Sequence, residues 1–351
     1  MKGSSNFPSN YKFILMANKR DITIDLGNNN TVLTGMINTL FSESTVVALN
    51  SKKNSYLLAG KAALEMEGKI NGDTKVVRPL KNGVIADLNA TTKMLNAFVK
   101  TLYPSRSILG FHNIIASVPY GTTEVERRAL RLALDQFNSR STKLIFEPVA
   151  AALGMGLNIM EPDGKMIIDI GGGLTEISLI SMSGVVTYMA LKVGGDTFNT
   201  DIRNYMEKKY IISISEKSAE KIKLQIGAAT ENSLPLNEEC SVVGKDNLTG
   251  IPKQISLNFK EIAMILNNTL TKIEDSVIKT LEQCPPELAG DIYTNGVYLT
   301  GGGALLKGLK ERLESSIQLK VHLSDQSLLS VSKGMEIVLS QMDKHKALIF
   351  K

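Results

Sequence analysis

An aspartate at the end of a short apolar strand, followed within two residues by glycine, occurs twice in this chain. Residues 22–27 read I-T-I-D-L-G and residues 166–171 read M-I-I-D-I-G. In each, a second strand-like run follows the turn, T-V-L-T-G-M in the first and T-E-I-S-L-I in the second. The match is short, but it implies two similar halves facing one another. A third glycine turn, Gly301-Gly302-Gly303, follows the strand V-Y-L-T and precedes a helix.

Each turn has a chemical reading and a plain one. In Asp25-Leu26-Gly27-Asn28-Asn29-Asn30, glycine lets backbone N–H groups approach an anion, and asparagine tolerates the left-handed backbone that extends such a turn. The plain alternative is a hairpin rich in turn formers. Three consecutive glycines, Gly171 to Gly173, cost backbone entropy inside a β-branched stretch, so a close approach has to be served there: a phosphate cradle, or a tight bulge. Asp25 and Asp169 can hold Mg²⁺ through its water shell, since this ion keeps several waters and few carboxylates. Neither G-x-G-x-x-G nor G-x-x-x-x-G-K-[ST] occurs, so the dinucleotide fingerprint and the P-loop are both excluded.

The rest of the chain alternates strand and helix patterns, which predicts an α/β architecture. A helix is expected from Thr91, and strands over 113–119 and 143–146. A helix capped by Thr123 with Glu126 should lie between those strands, with further helices at Lys61 to Gly68, 197–210, 215–227 and 259–284. At 351 residues there is room for two domains. The net charge of +5, from 40 basic against 35 acidic residues, is no nucleic-acid footprint, though it suits an anionic membrane surface. Two distant cysteines and three isolated histidines argue against a disulfide scaffold or a thiolate or imidazole metal site. With a polar start and no run of the ~18 apolar residues a membrane span needs, a cytoplasmic location is expected.

Taken together and in order, the three turns resemble the two phosphate motifs and the adenosine motif of the actin, Hsp70 and sugar-kinase superfamily. Five further segments narrow the resemblance to the MreB family: R-P-L-K-N-G-V-I-A-D (78–87), S-V-P-Y-G-T-T-E-V-E-R-R-A (117–129), E-P-V-A-A-A-L-G-M-G-L (147–157), V-G-G-D-T-F-N (193–199) and A-E-K-I-K-L-Q-I-G (219–227). The similarity runs from about residue 20 to 340.

The resemblance implies a duplicated, ribonuclease H-like, actin-like bilobed fold with four subdomains around a cleft holding ATP or ADP with Mg²⁺. A loose lead over 1–17 precedes subdomain IA at 18–45, 88–159 and 336–351, IB at 46–87, IIA at 160–194 and 259–335, and IIB at 195–258. Gly27, Asn28, Asn29 and Asn30 would form the first phosphate loop and Gly171, Gly172 and Gly173 the second. Gly194, Gly195 and Asp196 would sit near ribose and phosphate, Glu220 and Lys223 beside the adenosine, and Gly301, Gly302 and Gly303 around the nucleoside. Glu220 and Lys223 also read as a surface ion pair.

Glu147 would orient the attacking water, with Asp169 and Thr175 beside it; a glutamate before Pro148 also complements a helix N-terminus. This chain departs from the family's D-I-G-G-G-T-T-E by carrying Leu174, which can neither donate nor accept a hydrogen bond, so weak hydrolysis is expected. Asn28-Asn29 likewise replaces a smaller Thr-Ala.

The resemblance also implies homopolymeric protofilaments, contact with related paralogues, and a peripheral place on the inner face of the membrane. Two apolar elements suit that surface, the run Ser107-Ile108-Leu109-Gly110-Phe111 and a basic amphipathic C-terminus. In the latter, Leu328, Val331, Met335, Val338 and Met342 form one stripe and Ile349 and Phe350 are taken as exposed. Packing against the body is the alternative for each. Leu174 and the Lys-, Asn- and Ile-rich usage point to a divergent paralogue from a wall-less bacterium. Rival functions are a non-hydrolysing scaffold, a motility paralogue, or a small-molecule kinase of the same superfamily.

Overall fold

The computed structural model describes residues 21–35, 39–53, 55–70, 72–103, 111–232 and 239–351. Its architecture follows from two sheets of the same topology. In the first lobe, strands β1 (Ile22–Leu26), β2 (Asn30–Gly35) and β3 (Thr39–Ser44) form an antiparallel meander, and β4 (Asn113–Val118) and β5 (Ser141–Phe146) extend it in parallel beyond β1. In the second lobe, β6 (Lys165–Ile170), β7 (Thr175–Ser181) and β8 (Gly184–Leu191) form the meander, with β9 (Val297–Thr300) and β10 (Val321–Leu323) parallel beyond β6.

The strand order is therefore the same in both lobes, and Asp25 and Asp169 occupy the same place, one residue before the end of the central strand. The short sequence echo was the trace of a structural duplication. Such central strands are flanked on both faces, so their apolar residues are continuous rather than strictly alternating. In β6, Met166, Ile167, Ile168 and Ile170 are all buried.

Helices α1 (Leu88–Leu102) and α2 (Glu124–Asp135) serve the first lobe. Asp87 caps α1 by accepting the Ala90 N–H at 2.9 Å. The capping box on α2 is present, with Glu126 accepting the Thr123 N–H at 2.7 Å. Helix α3 (Glu147–Gly154) leaves β5 with Pro148 in its first turn, where a missing N–H costs nothing.

The second lobe carries α4 (Gly195–Tyr210), α5 (Glu216–Ile226) and the long α6 (Phe259–Glu282), and α7 (Ser330–Ser340) returns to pack against the first sheet. Each lobe bears a small three-stranded sheet, Val47–Asn50 with Ser55–Ala59 and Thr74–Val77, and Ile212–Ser213 with Glu239–Asp246 and Pro252–Asn258. The helix at 61–68 is shorter than its sequence pattern: it spans Lys61–Leu64, and Gly68 turns the chain at φ 73°.

The lobes join through α3 and α7, which pack between the two sheets in one apolar cluster. Ile115 and Ile145 come from the first sheet, Ile167 and Ile180 from the second, and Val149, Ala150, Met335 and Val338 from the helices. The crossing is close because both helices present glycine: a Cβ on Gly154 would fall on the Ser330 carbonyl, and one on Gly334 on the Ala150 carbonyl.

The C-terminus takes the packed alternative. Ile349 and Phe350 are not free: they form an edge strand, β11 (Ile349–Phe350), antiparallel to β5. Phe350 lies 4.5 Å from the Phe146 ring centroid, with the Arg127 guanidinium 5.9 Å from its own. Met335 and Val338 are spent on the inter-lobe cluster, so the expected amphipathic stripe is core. Of the run 107–111, residues 107–110 lie outside the described residues, as does the lead 1–17, while Phe111 is buried against Tyr103 and Phe137. Among the described residues no helix is long and apolar enough to cross a membrane.

Candidate functional site

The strand ends of both lobes open into one cavity of ≈ 500 Å³. This is where open α/β sheets place ligands, outside the carboxyl ends of the strands. Asp25, Gly27, Asn28, Asn29, Asn30, Glu147, Asp169, Gly171, Gly172, Gly195, Asp196, Glu220, Lys223, Gly301, Gly302 and Gly303, all selected from the sequence, line it.

The first loop is a hairpin braced from below. Gly27 N–H donates to the Asn30 carbonyl at 3.1 Å, and the Thr45 hydroxyl donates to the Gly27 carbonyl at 2.7 Å. The second loop is docked on a helix terminus: the Gly195 and Asp196 N–H groups of α4 donate to the Gly171 and Gly172 carbonyls at 3.0 and 2.8 Å. Gly194 is required for that approach, since a Cβ there would lie 2.6 Å from the Gly172 carbonyl oxygen. The third loop runs against the end of β6. Gly301, at φ 87°, has Asp169 Oδ1 and the Ile170 carbonyl where a Cβ would be, so only glycine fits.

Three carboxyl groups, Asp25, Asp169 and Glu147, line the floor, with the buried Glu176 beside Glu147. Burial raises the Asp25 carboxyl to about 6, although the Ser117 hydroxyl donates to it at 2.9 Å. Burial, then the charges of Glu176 and Asp25, raise Asp169 to about 7. Glu147 is held well above the carboxylate range by burial and then by Glu176, Asp25 and Asp169. Glu176, also raised by burial, accepts the Tyr188 hydroxyl at 2.8 Å and the Tyr120 N–H at 2.9 Å. Such a floor favours a cation. Among the described residues no three acidic, histidine or cysteine side chains converge closely enough to grip a metal directly. Asp25 and Asp169 on the cavity wall are hard oxygen donors of the kind that a divalent ion accepts through its water shell.

On the opposite wall, Lys223 Nζ donates to Glu220 Oε2 at 2.7 Å and to the Gly195 carbonyl at 3.1 Å. Asn199 Nδ2 donates to the same Glu220 oxygen at 2.6 Å. Leu224, Leu305, Leu306, Leu328 and Val331 give that end an apolar lining suited to a flat ring.

Three of the selected residues, Thr175, Gly173 and Gly194, do not reach the cavity wall as expected. Thr175 is fully buried and donates its hydroxyl to the Val193 carbonyl at 2.8 Å, because strand alternation turns it away from the face that carries Glu176. It is not placed to act on a bound group. Gly173 faces Asn28 and the Asn82 N–H rather than the cavity. Leu174 likewise turns toward the first lobe, its Cδ2 3.4 Å from where a Gly83 Cβ would stand.

Arg78, Asn199 and Glu216 also line the cavity and were not selected from the sequence. Arg78 follows the small sheet of the first lobe and makes a two-point contact with Glu67 at 3.2 and 3.0 Å. It then reaches Glu216 of α5, in the second lobe, at 3.4 Å. The segments 78–87 and 193–199 had been singled out, but nothing local distinguishes Arg78 or Asn199 within them.

Two lobes of one duplicated topology, with a phosphate-type loop from each facing a common cleft, define an actin-like protein. A family model described as MreB/Mbl protein matches residues 19–347, and the chain belongs to that family. The cell shape-determining protein MreB of Escherichia coli (strain K12) is 38% identical over 340 residues, covering 94% of this chain and 96% of its own length. The cell shape-determining protein Mbl of Bacillus subtilis (strain 168) is 36% identical over 329 residues, covering 93% and 97%. The crystal structure of MreB 5 of Spiroplasma citri bound to AMPPNP matches with a TM-score of 0.88 at 35% identity, covering 94% of this chain and 98% of that one. The MamK double helical filament shares the fold alone, at a TM-score of 0.74 and 17% identity.

Proposed function

We propose that this chain binds ATP or ADP in the cleft and assembles with copies of itself into filaments that organise cell shape. The observation that carries the reading is the convergence of two glycine-rich loops, one from each lobe, over an acidic floor and beside an apolar pocket. The related MreB 5 structures bound to AMPPNP and to ADP support the ligand class. Asp25 and Asp169 would hold Mg²⁺ through water, and the ion would neutralise phosphate charge. The four subdomains follow the boundaries 18–45, 88–159 and 336–351, then 46–87, then 160–194 and 259–335, then 195–258.

Glu147, at the start of α3 and on the cavity wall, is the residue that orients water against the terminal phosphate. Phosphoryl transfer to water needs positioning and charge stabilisation more than covalent chemistry. Leu174 removes a hydroxyl from the second loop and spends its side chain against the first lobe, so hydrolysis is weak. Assembly takes place at the inner membrane face, an anionic surface that the chain's net charge of +5 suits.

ATP-dependent sedimentation with phosphate release measured on the same sample tests the proposal. Pelleting that requires nucleotide, slow release by the natural chain and faster release by Leu174→Thr are expected. Brisk turnover by the natural chain would overturn weak hydrolysis, and pelleting indifferent to nucleotide would overturn the filament reading.

A further inference from the structure

The two asparagines that set this chain's first loop apart are engaged across the cleft. Asn29 Nδ2 donates to Asp196 Oδ1 at 2.6 Å, joining the first lobe to the first turn of α4. That turn already holds the second loop through the Gly195 and Asp196 N–H groups. Asn28 Oδ1 accepts the Gly83 N–H at 2.8 Å, and its Nδ2 fills the space a Gly173 side chain would need. Gly172 makes the matching room for Asn29: a Cβ there would stand 2.6 Å from Asn29 Nδ2 and 3.4 Å from Asn28 Cβ. The glycines of the second loop therefore serve the asparagines of the first as well as any bound phosphate.

We propose that Asn29 is a positioning residue, acting through Asp196, that fixes the spacing of the two phosphate loops before a nucleotide arrives. An amide donating to a carboxylate is stronger than a neutral hydrogen bond, and here it closes a ring that runs from the first loop through α4 to the second. A site held in its binding geometry loses less order when the ligand enters and releases it more slowly. The functional half of this inference rests on the nucleotide reading given above; the structural half does not.

The donor and acceptor can be exchanged, which supplies the test. Asn29→Asp sets two carboxylates against each other, while the double variant Asn29→Asp with Asp196→Asn restores the bond with roles reversed. In nucleotide-free full-length protein, amide hydrogen exchange over 168–176 and 193–200 is expected to quicken about tenfold in Asn29→Asp and to return toward the natural rate in the double variant. Release of a fluorescent ADP analogue should follow the same order.

Unchanged exchange in Asn29→Asp, or a double variant no slower than the single one, overturns the proposal. Should Asn29→Asp fail to fold, Asn29→Ser removes the donor without adding charge and is expected to quicken the same segments; no change there overturns the proposal equally. Failure of the natural chain to bind the ADP analogue would sink the nucleotide reading, and hydrogen exchange would still decide the loop pair.

Discussion

Thr175 and Asp169 stand on adjacent strands of one sheet, yet they face different chemistry. Asp169 stands one residue before the end of β6 and lines the cleft, whereas Thr175 opens β7 on the buried side and donates to Val193. Thr175→Val should therefore lower stability by about 1 kcal/mol through loss of that bond, read as a shift in thermal melting, and leave nucleotide affinity unchanged. A selective loss of phosphate release at full stability would restore Thr175 to the reaction. The acidic floor was legible from Asp25 and Asp169, because the same aspartate–glycine turn recurs at two strand ends and a third glycine turn follows. Glu176 and Ser117 were not, since their contacts come from strands that only the sheet brings together.

Among the elements, α3 and α7 show how glycine can be structural rather than catalytic. Their crossing leaves no room for a Cβ at residue 334, so Gly334→Ala is expected to cost about 1–3 kcal/mol in chemical denaturation. The sequence marks α7 and the residues before it by apolar spacing that serves two surfaces: Leu328 and Val331 line the cleft while Met335 and Val338 fill the inter-lobe core. A membrane-binding helix and a helix buried at an interface carry the same stripe. Phe350→Ala should accordingly lower the melting temperature, through loss of the Phe146 contact, and leave liposome flotation unaltered. Loss of flotation in a stably folded variant would return the C-terminus to the membrane.

At the scale of the whole molecule, the lobes meet at the helix crossing below the cavity, at Asn29 and Asp196 beside it, and at Arg78 with Glu216 on its wall. The Arg78–Glu216 pair is partly exposed, so its contribution is at most about 1 kcal/mol. Arg78→Ala is expected to speed nucleotide release by up to about fivefold at low salt. The difference should vanish near 1 M salt, where the screening length falls to about 3 Å. A salt-independent effect would mean that Arg78 acts through packing or direct ligand contact instead.

The sequence by itself determined the duplicated architecture, the three glycine loops, the capped helix α2 and the acidic strand ends. Each is written in residues that lie close together along the chain, where backbone preference and periodicity act. The tertiary structure alone decided what faces what: that Thr175 turns away, that the C-terminal stripe is core, that Arg78 reaches Glu216, and that Asn29 meets Asp196. Those outcomes depend on the relative placement of two lobes and on which face of a strand or helix is covered. Local sequence carries no record of either, because the same side chains satisfy the same local rules on both faces.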